Sequence, residues 1–157
     1  MENQLNVLSE SLDKKLEVLH EIQEYNIRQE KIFTAEKVDM SAFDEAVTEK
    51  ERLINMLERL DEGFDTMYHK LAEQLKDNKE RYADQIRALQ DKIKAVLDLS
   101  VSIQAQEVRN KQLIEQYFAK ERKGLQQNRK SSAVAYNYYR NASNTMNVQS
   151  QFLDSKQ

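Results

Sequence analysis

Residues 82–117 read YADQIRALQDKIKAVLDLSVSIQAQEVRNKQLIEQY, and within them Tyr82, Ile86, Leu89, Ile93, Val96, Ser100, Ile103, Glu107, Asn110, Ile114 and Tyr117 recur at steps of four and three. That rhythm is what a helix shows when one narrow stripe meets another helix. Eight of these eleven positions are apolar or aromatic and Ser100 is small, but Glu107 and Asn110 are strongly polar. A carboxylate or amide taken out of water costs free energy unless it finds a partner. The seam is therefore not expected to be a uniform closed core at that level. Two readings stay open: the polar pair sets register or oligomeric state, or the level opens onto a groove for a partner.

Working outward, a first helix is expected from about Asn3 to Ala35. It carries Leu5, Leu8, Leu12, Leu16, Leu19 and Ile22, then Tyr25, Ile32 and Phe33. The spacing stays near 3.6, so one face remains apolar. A turn falls at residues 38–41, where Ser41 is placed as N-cap with Asp44 three residues on. The next helix carries Phe43, Val47, Ile54, Leu57, Leu60, Phe64, Met67, Leu71 and Leu75, with Gly63 inside it. Glycine there weakens a helix by roughly 1 kcal/mol relative to alanine. Unbroken helix from 42 to about 128 would span about 130 Å, too long for a small bundle. Lys76-Asp77-Asn78-Lys79 is the expected second turn, although the seam passes it nearly in phase and a continuous helix stays the alternative. The first two helices then pair antiparallel, and a longer third runs from about 79 to 128.

Composition supports an all-α chain. Two of 157 residues are Gly and none is Pro, against usage of roughly 7% and 5%, which removes the material of tight turns and phosphate-cradling loops. The fold expected is an elongated antiparallel helical hairpin or three-helix coiled-coil bundle over residues 1–130. A flexible, Tyr-, Asn- and Ser-rich tail over 131–157 follows, mobile without a partner.

Charge is unevenly spread. Residues 119–157 carry seven Lys or Arg and two acids, a net +5, which leaves −8 for residues 1–118. This is not the concentrated basic face of a nucleic-acid binder. The cluster Lys120, Arg122, Lys123, Arg129 and Lys130 reads as a solvated helix end favoured by the dipole; contact with RNA or anionic lipid is the weaker alternative. With no cysteine, neither disulfides nor thiolate metal sites are available. The opening Met1-Glu2-Asn3-Gln4 is not a basic segment followed by an apolar run, and no stretch approaches roughly 20 apolar residues. A cytoplasmic protein without stable membrane insertion is the expectation.

No catalytic constellation stands out. His20 and His69 have no second histidine at helical spacing, and a metal or catalytic role needs converging ligands. Acid pairs such as Asp61 and Glu62 read as solvated faces, and Asn141-Ala142-Ser143 matches the glycosylation pattern by coincidence. Neither enzyme activity nor a cofactor or metal is expected. The tail does hold Tyr136, Tyr138, Tyr139 and Phe152, which either pack back on the bundle or anchor a partner.

The run Ile103-Gln104-Ala105-Gln106-Glu107-Val108-Arg109-Asn110-Lys111-Gln112-Leu113-Ile114 resembles the Glu-x-x-Asn-x-x-Leu-Ile run in the last helix of FlgN-type flagellar export chaperones. The layout is similar too: a leucine-rich first helix, the connector Val38-Asp39-Met40-Ser41-Ala42-Phe43, then Glu49-Lys50-Glu51-Arg52-Leu53-Ile54. Gln151-Phe152-Leu153-Asp154-Ser155-Lys156 is similar to the Phe-x-Asp-x-Lys ending of some members. The resemblance covers most of the chain.

It implies a cytoplasmic chaperone that binds the C-terminal helices of hook–filament junction proteins and blocks premature assembly. It also implies delivery of them to the export gate, with a transient stay at the membrane export apparatus. Chaperones of the FliT kind share similar helical hairpins. In that reading Ile93, Val96, Ile103, Glu107, Asn110, Ile114, Tyr117 and Phe118 hold the client helix, and Tyr136, Tyr138, Tyr139 and Phe152 contact the gate. A homodimer is compatible with the seam. The reading from another class is a homo-oligomeric coiled-coil scaffold with no client.

Overall fold

A computed structural model describes residues 1–123 together with Asn137 and Tyr138. Three helices follow one another, α1 (Glu2–Thr34), α2 (Met40–Leu75) and α3 (Ala83–Arg122), and no strand occurs among the described residues. The all-α expectation holds.

Both breaks form without proline or glycine. α1 stops where Ala35 turns to extended backbone, at φ −75° and ψ 153°. α2 is capped by Asp39, whose carboxylate accepts from the Ala42 N–H at 3.1 Å; Ser41, the expected cap, lies inside the helix. Asp39 wins because its own backbone is extended while its side chain reaches the third residue on, the geometry a cap requires. The second break covers the expected residues 76–79 and runs on to 82, so α3 starts later than expected, at Ala83. The Asn78 N–H donates to the Leu75 carbonyl at 3.0 Å and its side-chain amide donates to the Gln74 carbonyl at 3.3 Å. Gly63 lies within α2 with open space beside it, so no packing requirement explains the missing side chain.

Side-chain pairs give the directions. Lys15 pairs with Asp61 and Gln29 with Lys50, so α2 runs antiparallel to α1. Lys92 reaches Ser9 and Asp13 while Asn110 reaches Asn26, so α3 runs parallel to α1. α1 is the shared member: Leu5, Leu8, Leu12, Leu19 and Ile22 lie buried in one core with Phe43, Val47, Leu53, Ile54 and Leu57 of α2 and Val96, Ile103 and Ile114 of α3. Full burial of each such side chain is worth about 1.5–3 kcal/mol. An aromatic cluster closes one end, where Phe33 meets Phe43 edge-on at 4.9 Å between centroids and Tyr117 at 5.5 Å.

The α1 stripe differs from expectation at Lys15 and Val18 and again at Asn26 and Gln29, all buried, while the expected Tyr25 is half-buried. Lys15 is buried and Leu16 only half-buried, because the face turned inward runs 5, 8, 12, 15, 19, 22 and Asp61 meets the ammonium there.

The backbones of α2 and α3 stand apart. Both lie on α1, yet no Cα of α2 comes within 8 Å of a Cα of α3. Among the described side chains, those of Lys50 and Glu107 meet across the space between them.

Candidate functional site

The side chains that cross it belong to a buried polar layer. Along α1, two heptad steps past Ile22 land on Asn26 and Gln29; on α2 the step between Val47 and Ile54 lands on Lys50; on α3 the matching steps are Glu107 and Asn110. All five are buried. The Lys50 ammonium lies 2.8 Å from Glu107 Oε1 and donates to Gln29 Oε1 at 2.8 Å. Asn110 donates to the Asn26 carbonyl at 2.9 Å and, more weakly at 3.4 Å, to Gln29 Oε1. Asn26 in turn donates to Gln106 at 3.3 Å. Three helices are thereby held in one axial register by groups that tolerate no slip, since a slip would leave a charge buried and unpaired.

Tyr138 completes the layer. Its ring is 0% exposed, the Lys50 ammonium sits 3.9 Å from the ring centroid, and its hydroxyl donates to Glu107 Oε1 at 2.6 Å. Ammonium and phenol thus converge on one carboxylate oxygen. The other, Oε2, is buried with no hydrogen-bond partner among the described residues, as are Gln29 Nε2, Asn26 Oδ1 and Ser100 Oγ.

Burial pushes the Lys50 ammonium down from an ordinary value of 10.5 to about 8, against the opposing charge and hydrogen bond of Glu107. Between those two values the folded chain holds fewer protons than the unfolded one, so stability rises with pH through that window. Half-buried Tyr117 opposes it higher up, because burial and then the Glu121 charge raise its phenol above 10.0. Urea midpoints are expected to climb from pH 8 to pH 10 in the native chain and to stay level in Lys50→Met. A native midpoint that falls across that range would contradict the assignment.

The residues expected to hold a client are placed differently from that expectation. Val96, Ser100, Ile103, Glu107, Asn110, Ile114 and Phe118 are buried, and Ile93 and Tyr117 are half-buried. The stripe faces α1 and forms the bundle's own core. A client helix cannot lie along it while α1 stays in place. The outward face of α3 carries instead Val101 and Val108, 56% and 58% exposed.

Of the residues expected to meet an export gate, Tyr138 is engaged inside the bundle, and Tyr136, Tyr139 and Phe152 lie outside the described residues, as do Arg129 and Lys130 of the basic cluster. His20 and His69 are exposed, the latter 3.1 Å from Asp65 one turn away. No group of three or more metal-ligating side chains forms among the described residues, and no described helix is long and apolar enough to cross a membrane. An open groove of about 710 Å³ where α1 meets the start of α2 is lined by Tyr25, Arg28, Ile32, Ala42, Glu45 and Glu49. It has no converging buried polar groups.

Lys50, Asn26 and Gln29 were missed by the sequence reading although their signal was present. Each occupies an inward step of its own stripe, and a polar residue there is the same mark that singled out Glu107 and Asn110. Compared with known family models, curated proteins and solved structures, the chain matches none of them.

Proposed function

We propose that the chain is a flagellar export chaperone of the FlgN kind. It captures the C-terminal helix of a hook–filament junction protein in the cytoplasm, keeps that helix from assembling early, and hands it to the export gate. It acts by binding alone. The observation that carries this reading is the separation of α2 from α3, two helices laid on a shared third with their backbones more than 8 Å apart. A helix pair held open in this way suits the helix-in-groove mode, in which an amphipathic helix lays its apolar face between two others. The resemblance around Glu107 and Asn110 supports the same reading, with the client seated between α2 and α3 and not along the α1–α3 seam. Tyr136, Tyr139 and Phe152 are the proposed gate contacts; Tyr138 leaves that set, its ring and hydroxyl being engaged by Lys50 and Glu107.

Titrating the full chain with a synthetic C-terminal helix of a junction protein is expected to give saturable one-to-one binding with a negative heat-capacity change, the mark of buried apolar surface. Absence of binding at millimolar peptide would overturn the reading. Outward-facing Val101 and Val108 favour the second reading, a self-associating scaffold. Sedimentation separates the two, since a scaffold stays oligomeric at every concentration and ignores the peptide.

A further inference from the structure

The open side of the bundle is closed by a single described side chain that belongs to neither α2 nor α3. Tyr138 comes from beyond Arg122, the end of α3, and buries its ring completely. We infer that the Lys50–Glu107 pair is a socket for a tyrosine side chain, that its occupant in the working complex is a tyrosine on the client's terminal helix, and that Tyr138 is the chain's own stand-in. This rests on the chaperone reading for the identity of the occupant, but not for the socket itself.

The chemistry of the seat selects the phenol. An ammonium 3.9 Å from the ring centroid attracts an aromatic face, most strongly when desolvated, and an aliphatic side chain forfeits it. A carboxylate oxygen 2.6 Å from the hydroxyl needs a donor at the far end of that ring. Phenylalanine offers none, and a buried carboxylate that keeps the Lys50 ammonium but loses its second donor is weakened. Sites built to bond a hydroxyl reject the analogue lacking it for this reason. The gap also needs such an occupant. Lys50 and Glu107 meet through Nζ and Oε1, and the ring packs on that pair between helices whose Cα atoms stay more than 8 Å apart.

A stand-in on the same chain competes as an intramolecular ligand, at an effective concentration set by its tether. An incoming tyrosine must displace it, and the apparent affinity is lowered by the fraction of molecules whose socket is vacant. The contact of Tyr138 is then opposed to client binding and not part of it, which a purely structural role does not predict.

Full-length Tyr138→Ala, verified as helical by circular dichroism, provides the test. A labelled peptide of residues 131–157 is expected to bind this variant in trans, and the same peptide carrying Tyr138→Phe to bind at least about tenfold more weakly, the equivalent of 1.4 kcal/mol. Absence of binding, or equal binding by the two peptides, overturns the socket. The junction-protein helix is next titrated into native chain and Tyr138→Ala. The expected result is binding about tenfold or more tighter to the variant, with displacement of the labelled peptide. If it binds the native chain but the variant equally or more weakly, the stand-in is wrong while the chaperone reading survives. If it binds neither while the 131–157 peptides still discriminate, the socket stands, and both the chaperone reading and the client as occupant fall.

Discussion

Replacing Lys50 by methionine is expected to lower the melting temperature by roughly 6–20 °C. Lys50 is fully buried, and its ammonium meets Glu107 at 2.8 Å. Methionine fills nearly the same volume, so the apolar packing changes little. What is lost is the countercharge, and breaking a buried pair from one side costs about 3–5 kcal/mol because the remaining charge stays desolvated and unpaired. For a chain of this size each kcal/mol moves the midpoint by about 2–4 °C. The double variant Lys50→Met/Glu107→Leu removes both charges and is expected to recover at least half of the loss, since an apolar pair often matches a buried ionic one. The Tyr138 hydroxyl, then without its acceptor, keeps the recovery partial. Thermal and urea melts followed by circular dichroism measure both variants. A Lys50→Met chain within about 1 kcal/mol of native would show that this charge is not sealed in.

Ile103→Asp and Val101→Asp place the same carboxylate two residues apart on α3, with opposite outcomes expected. Ile103 is 0% exposed and Val101 is 56% exposed. At position 103 the substitution removes a buried aliphatic side chain and desolvates a charge, a combination that puts the loss above about 4 kcal/mol. At position 101 the carboxylate stays in water and the change is expected within about 0.5 kcal/mol. Urea unfolding of the two variants decides which face of α3 is core. Equal destabilisation would mean that the helix is rotated from the orientation described. The pair also disciplines the binding experiments. Loss of client capture by Ile103→Asp reports an unfolded bundle, and loss by Val101→Asp in a folded chain reports an outer-face contact.

Much of this architecture was legible in the residues alone. The steps of four and three from Tyr82 to Tyr117 named the buried face of α3, and every one of those positions is buried or half-buried. The breaks near 38–41 and 76–79 could be placed from interrupted periodicity and polar composition, and the structure interrupts its helices over 35–39 and 76–82. Glu107 and Asn110 stood out because charge and amide on an inward step require an explanation. Periodicity works here because it reports one helix's own geometry, a local property of the chain.

The arrangement between helices was not legible to the same degree. A heptad stripe states which face turns inward but not against which neighbour, because apolar stripes are chemically interchangeable. The α3 stripe was free to meet a client, a second copy or α1, and it meets α1. Lys50 is 57 positions from Glu107 in the chain, and no spacing rule connects two residues that far apart; their meeting depends on the axial offsets set by two short connectors and by every side chain packed between. Tyr138 is the clearest case. Its segment has no periodicity to read, so nothing local distinguished a tyrosine that waits for a partner from one seated on a buried ion pair. That choice was made by the space between α2 and α3 and by a carboxylate oxygen that takes both the Lys50 ammonium and the Tyr138 hydroxyl, features that exist only once three helices are assembled.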